Sequence, residues 1–490
     1  MGRGIGVSSE TRWRSCGKPP PRRQAATCFR YPDGTVNRSI WAVLIGTFSL
    51  RFSTGLTGTL LSTYLAKLHE HGGPRVTGFE VGALSALYFL SELALSPIFG
   101  VLSDRLGTHR VMQWGPVFGA VAVVMTAVTT HSVMLALLGT LGVLVWLGVT
   151  RFLEGAAAGA SIPSILGYIA AATATDEALR GRAVARFEAA TLAGLGVGIV
   201  AAPALFALIG PVAFLLNALI YAASFAIYRY GVDEVREPAA AGAATEETRR
   251  RFDPAAYWAL MRSSAVWLLA PTWIALNAVI GSWTSQSVFQ LVREPTGRFP
   301  NQLLSGGIAP GAISAGAAVG LVIFFAGLVF WGNRFKRYRR TTIIGIGVAG
   351  GVLMVGAAAG LNHSQGVPLP LLALLLAALV AGLFVLAGAT PAALGLLADM
   401  TEAHPRDRGA MMGLYSVFLG IGQIVGSLAG GIGADFAAFD GLLVVSLALL
   451  VVALVPLGRL RTSEHIVDAH AEAGRDRSRR AAVAPPPDDA

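Results

Sequence analysis

The stretch that decides the fold is GVLSDRLGTHR, Gly100–Arg110. It sets an aspartate, two arginines, a histidine and two hydroxyl side chains between two apolar runs, LSALYFLSELALSPIFG (84–100) and VFGAVAVVMTAV (117–128). A helix needs about 20 apolar residues to cross a bilayer core of about 30 Å. A backbone in lipid must also satisfy its own hydrogen bonds, which selects helices. Two such helices joined by a short polar turn at the membrane surface account for the pattern. Gly107 then supplies the tight turn, and Asp104 holds a fixed negative charge where lipid gives way to water.

The same alternation runs outward through the chain. Of 490 residues, 54% are hydrophobic and 13% charged, about half the charged share of a soluble protein. The mean hydropathy is +0.61. Spans are expected at 40–66, 77–101, 111–130, 140–170, 183–207 and 210–230, then at 264–290, 308–331, 341–361, 367–397, 409–433 and 438–458. The fold class is an all-α polytopic membrane protein. The almost wholly apolar stretch 111–173 holds either two spans with a turn at Thr129–Ser132 or three tight ones, and the basic residues decide. With two, Arg105, Arg110, Arg180, Arg182, Arg186, the 229–262 segment, the 334–340 cluster, Arg406 and Arg408 share one side. The other side keeps Lys67, Arg75, Arg293 and Arg298. Cytoplasmic loops carry the excess of Lys and Arg, so both termini are expected in the cytoplasm. The net charge of +10 belongs to these loops and tails, and no nucleic-acid partner is expected. Only Lys18, Lys67 and Lys336 among the 38 basic residues are lysine. With so much Ala and Gly, that points to a GC-rich bacterial genome and a multi-pass protein of the inner membrane.

Residues 1–38 are polar and Arg-rich, without the apolar core of a cleaved leader. They read as a disordered basic tail, with span 1 directing insertion itself. The Ala-rich, mixed-charge segment 231–262 reads as a cytoplasmic linker between a first bundle, 39–230, and a second, 263–460. The tail 461–490 cannot bury enough apolar surface to fold. Cys16 and Cys28 both lie in the first tail and give no disulfide framework or metal set; neither metal nor cofactor is expected. Shifted by 228 residues, the chain meets itself without a gap. Pro163 meets Pro391, Leu166 and Gly167 meet Leu394 and Gly395, and Thr173 meets Thr401. Arg180-Gly181 meets Arg408-Gly409, and Gly194 and Gly198 meet Gly422 and Gly426. Six spans restore orientation, so the two copies run in parallel. That is the design of transporters whose halves are related by an axis along the membrane normal. The binding site then lies between the halves, near the midplane.

GVLSDRLGTHR resembles the loop 2–3 signature of the major facilitator superfamily. Gly100, Leu102, Asp104, Arg105, Gly107 and Arg110 match it, and His109 stands where a basic residue is usual. With the span count, linker and repeat over 39–460, the resemblance implies two six-helix bundles related by a pseudo-twofold axis. It also implies a gating latch on the inner side. Asp104 would dock at the start of span 11, near Gly409, where a helix carries about half a positive charge; Arg105 and Arg110 would brace it. Gly100 would let a neighbouring backbone approach closely. The plainer alternative is that these charges only enforce topology. At the matching place in the second half, GNRFKRYRRT (332–341) has Lys336 for the acid and lacks the turn glycine. Only half of the latch pair is therefore expected.

An ionisable residue inside a span is costly unless paired or hydrated. Arg51 in span 1 and Glu92 in span 2 match in depth and are expected to pair, either as a clamp or as part of a path. Arg151 and Glu154 share one face of span 4. RFLEG (151–155) resembles the family's span 4 signature, which would put Arg151 on the proton or substrate path; a self-contained pair is the plainer alternative. GLGVGIVAAP (194–203) resembles in part a Gly-Pro motif of drug and proton antiporters, but close packing by Gly196 and Gly198 explains it as well. Candidate cavity residues are Thr54 and Thr57, beside Ser53, in span 1; Trp273, Asn277 and Gln286 in span 7; and Tyr415 and Gln423 in span 11. Trp283 is expected in the interfacial aromatic belt. A cavity so poor in fixed charge suits an apolar or weakly polar solute.

These readings lead to a secondary transporter. Proton-coupled export of a small molecule is preferred, with protons and the lipid bilayer as further partners and the chain a monomer. An importer on the same fold, or a non-transporting assembly factor or sensor, stays open. No Walker loop is found, and His69 and His71 beside Glu70 read as a solvated outer loop. An enzyme is not expected.

Overall fold

The computed structural model describes residues 33–461 apart from 175, 235–265, 296, 336 and 403–407. The expectations for both tails, for most of the 231–262 linker and for Lys336 lie outside the described residues. In the first half, α1 (Asp33–Ala66), α2 (Gly78–Leu106) and α3 (Trp114–Val128, entered through the short turn Thr108–Met112) are followed by α4 (Ser132–Ala172), α5 (Glu177–Ile209) and α6 (Ala213–Gly231). In the second, α7 (Val266–Val292), α8 (Pro310–Gly332) and α9 (Arg340–Asn362) precede α10 (Leu369–Leu386, continued by Ala389–Glu402). The last helix, Arg408–Leu454, breaks at Ala437 and Ala438. Its legs are α11 (408–436) and α12 (439–454).

Nine described stretches are long and apolar enough to cross a membrane. Two of them hold a break, one at Gly210 and one at Ala438, and cross twice. The 27-residue α7, with Asn277, Gln286 and Gln290 along it, completes twelve legs. α4 breaks at Gly139, φ 62°, one residue before its expected span. Its turn from α3 falls at Thr129–His131, so the stretch 111–173 holds two spans.

Leu137, Leu141, Leu208 and Leu369 are each at least 75% exposed. Such a surface is unfavourable in water and suits lipid tails. The bundles turn their small and polar residues toward one another instead. α1 packs on α5 and α6, and α2 on α4; α7 packs on α11, and α9 on α10. Across the seam, α2 meets α11, α5 meets α8, and α1 meets α7.

The repeat has a packing reason. Gly194 on α5 faces Phe48 O and Arg51 Cβ of α1, and Gly422 on α11 faces Ile274 O and Asn277 Cβ of α7. Gly198 abuts Phe52 O, as Gly426 abuts Ala278 O; Gly55 abuts Leu195 O, as Gly281 abuts Gln423 O. A Cβ at any of these would strike backbone, so small residues let paired helices close. The two halves are built on the same glycine contacts, and Arg51 and Asn277 occupy matching places.

Candidate functional site

The ionisable groups inside the spans gather in the first half. Arg151 and Glu154 on α4 form a buried ion pair, 7% and 3% exposed. The Arg151 guanidinium also lies 4.9 Å over the Tyr88 ring of α2, a cation–π contact that gains strength away from water. α4 reaches α2 this closely because Gly155 abuts Tyr88 O. The Arg151 Nε and Glu154 Oε1 have no protein partner among the described residues, so the pair neutralises charge without using all its hydrogen-bonding capacity.

Arg51 on α1 and Glu92 on α2 stand within electrostatic reach of each other but form no direct ion pair. A second carboxylate, Glu188 on an exposed face of α5, is also within electrostatic reach of Arg51. Sequence reasoning missed Glu188, because a span beginning at 183 leaves the residue at the membrane edge. The helix begins at Glu177, so Glu188 lies 11 residues along it, after the exposed Arg180, Arg182 and Arg186, on an exposed face. The signal available was the pair Asp176–Glu177, a cap and first-turn acid.

The cavity candidates divide. Thr57 is committed within the first half: it donates to Ser53 O at 2.8 Å and accepts from Asn217 Nδ2 of α6 at 2.7 Å. Gln286 is fully buried and donates to Gly78 O across the seam at 2.9 Å, so in this arrangement it joins the halves. Thr54, half-buried, donates to Leu50 O. Asn277 donates to Trp273 O at 2.9 Å, and both are buried. The Gln423 Oε1, Ser53 Oγ and Thr191 Oγ1 atoms are buried with no protein partner among the described residues; Thr191 is a second polar group the sequence reading passed over. Unpaired buried acceptors of this kind are uncommon and mark where a solute could bond. The side chain of Tyr415 lies outside the described residues. Trp283 turns inward from the surface expected of a belt residue. Its indole donates to Ser446 Oγ of α12 at 2.9 Å and its ring meets Phe439 edge-on, because α7 turns that face into its own bundle.

At the inner end of α2, Asp104, Arg105 and Arg110 are exposed. Gly107 takes φ 95° and turns the chain into α3. The buried His109 places Nε2 3.0 Å from Tyr228 O and so pins that turn to α6. Gly100 departs from expectation. A Cβ there would meet nothing nearer than Pro163 Cβ at 3.9 Å. α2 and α4 touch through Gly155 and Gly159 and diverge before Gly100, where the Pro163 ring intervenes. The side chains at the start of α11 lie outside the described residues.

The described seam contacts gather at the end of the bundles where α2 begins. Phe289, Val292 and Ile313 of the second half are buried in the first half's core. His69 is not on a free loop: its Nε2 lies 2.9 Å from Glu294 Oε2 of the other half. Burial pulls the Arg293 guanidinium below its ordinary range, and the facing Asp435 carboxylate pushes it back up. A groove of about 540 Å³ between α2 and α4 is lined by Phe79, Leu84, Leu144 and Phe152.

The family model described as Major Facilitator Superfamily matches residues 43–364 and 299–485. Quinolone resistance protein NorA of Staphylococcus aureus, in strains Mu50 and N315, is 28% identical over 135 residues. That alignment covers 28% of this chain and 30% of the relative, so the chain matches under a third of the NorA length. Two crystal structures of the nucleoside transporter NupG, one of them of a point mutant, superpose with a TM-score of 0.58 at 14% identity. They cover 85% of this chain and 98–99% of theirs.

Proposed function

This chain belongs to the major facilitator superfamily, and from that premise we propose a proton-coupled exporter of a small apolar or weakly polar solute. The observation that carries the reading is the division of labour between the halves. Two guanidinium groups, Arg51 and Arg151, and two carboxylates, Glu92 and Glu154, stand inside the spans of the first half, while Glu188 on an exposed face of α5 also acts on Arg51. Arg151 and Glu154 are paired, whereas Glu92 has no direct ion pair among the described residues, the condition for a group that takes up and releases a proton as access alternates. The second half has no Asp, Glu, Lys, Arg or His between Pro310 and Trp331, Thr341 and Leu361, Leu369 and Leu397, or Gly409 and Gly433. It offers Trp273, Asn277 and Gln423, an aromatic and amide surface suited to a neutral or weakly polar solute. The partial likeness to NorA supports export. Both termini are expected in the cytoplasm, and the chain acts as a monomer, since its cavity lies between its own halves.

Inverted vesicles with an imposed proton gradient test the reading. A panel of apolar solutes should accumulate inside, and collapse of the gradient should abolish the accumulation. In Arg151→Ala, uphill accumulation should fall about tenfold or more while solute binding by purified protein persists. Gradient-independent accumulation would sink the proton coupling, and accumulation only in right-side-out cells would sink export.

A further inference from the structure

α2 begins on the outer side with a cap of its own. Thr77 Oγ1 accepts from Glu80 N at 3.2 Å, and Glu80 Oε2 accepts from Thr77 N at 2.7 Å. Two first-turn amides remain, and a residue of the other half takes both. Gly78 N donates to Asp435 Oδ1 at 2.6 Å, and Phe79 N donates to Asp435 Oδ2 at 2.8 Å. The helix's positive end and a carboxylate thus meet across the seam, and charge-assisted bonds of this kind are about twice as strong as neutral ones. Gly78 and Gly431 bring the two backbones into contact beneath the carboxylate, as do Gly82 and Ser427. Gln286 holds Gly78 O, and Arg293 faces Asp435. On the loops above, His69 Nε2 and Glu294 Oε2 approach to 2.9 Å.

We propose that Asp435 is the carboxylate of an outer gate, and that its release from the start of α2 is required before the cavity can open outward. Its place in the fold makes it reciprocal to Asp104. α2 runs inward and α11 outward, so each helix presents its amide end to the far end of the other. Asp104 lies 26 residues after the first residue of α2, and Asp435 lies 27 after the first residue of α11. One carboxylate can hold the inner ends and the other the outer ends. The rocking of two rigid halves about the seam loosens one as it seats the other. This rests on the alternating-access reading given above.

The test uses full-length protein in nanodiscs with Cys16 and Cys28 replaced by serine and spin labels at Arg75→Cys and Arg298→Cys, on outer loops of opposite halves. Wild type should give a dominant short distance. Asp435→Asn keeps the shape but removes the charge, and should raise the long-distance population about tenfold; Asp435→Glu should restore the short one in part. Phe79→Pro removes one donor without touching Asp435, at a first-turn position where proline is tolerated. It should shift the same distances in the same direction and be non-additive with Asp435→Asn. Distances unchanged in both variants overturn the gate, even if transport is lost. Shifted distances in a protein that moves no solute support the gate and sink the transporter reading instead.

Discussion

At the scale of single residues, the chemistry is concentrated where a charge has been taken out of water. Removing one partner of a buried ion pair leaves an uncompensated charge, which costs more than the pair itself contributes. Arg151→Ala should therefore lower stability by about 3 kcal/mol, read as a shift in thermal or denaturant unfolding in detergent. Glu154→Gln on that background should recover much of the loss, since no lone carboxylate then remains. If the double variant is no more stable than Arg151→Ala, the pair is not the source of the effect. The sequence made this pair legible because an i,i+3 spacing on a helix is a local fact. Arg51 was legible as a buried charge but not in its company. Glu188 is 137 residues away along the chain, and only packing against α1 brings it near.

At the scale of elements, the helices meet through glycines whose missing Cβ lets one backbone touch another. Gly426→Val would drive a side chain into the Ala278 backbone and should cost about 1–3 kcal/mol. It should also part α11 from α7, moving the unpaired Gln423 with it. Gly356, where a Cβ would meet nothing within 4 Å, is the control, and Gly356→Val should unfold close to wild type. Equal losses in the two would show that helix propensity and not close packing sets the effect. Span positions were legible because lipid imposes length and polarity on every crossing. Burial by a partner was not. Gln286 and Thr57 read as polar cavity positions and Trp283 as an interfacial ring, yet each bonds to another helix, because hydropathy cannot say what a polar face meets.

At the scale of the whole molecule, the described seam contacts close the end of the bundles where α2 begins, and the two carboxylates at opposite ends of α2 and α11 should pull against each other. Asp104→Asn should weaken the inner latch and lower turnover about tenfold, with solute affinity kept. Combined with Asp435→Asn, it should recover part of that turnover, because both access states are then destabilised together; flux assays and spin-label distances on both faces measure this. A double variant slower than either single one would argue against a shared rocking equilibrium.

The sequence by itself determined the class, the twelve crossings, the parallel repeat and the candidates for buried charge. Each follows from the cost of placing backbone or charge in lipid, or from a motif contiguous in the chain. Only the tertiary structure decided which polar groups face each other. It brought Asp435 to the start of α2, Glu188 to Arg51 and His69 to Glu294, and it assigned Gln286 to the seam. Those pairings join residues as much as 357 positions apart, and they depend on how two rigid bundles meet, which no local pattern encodes.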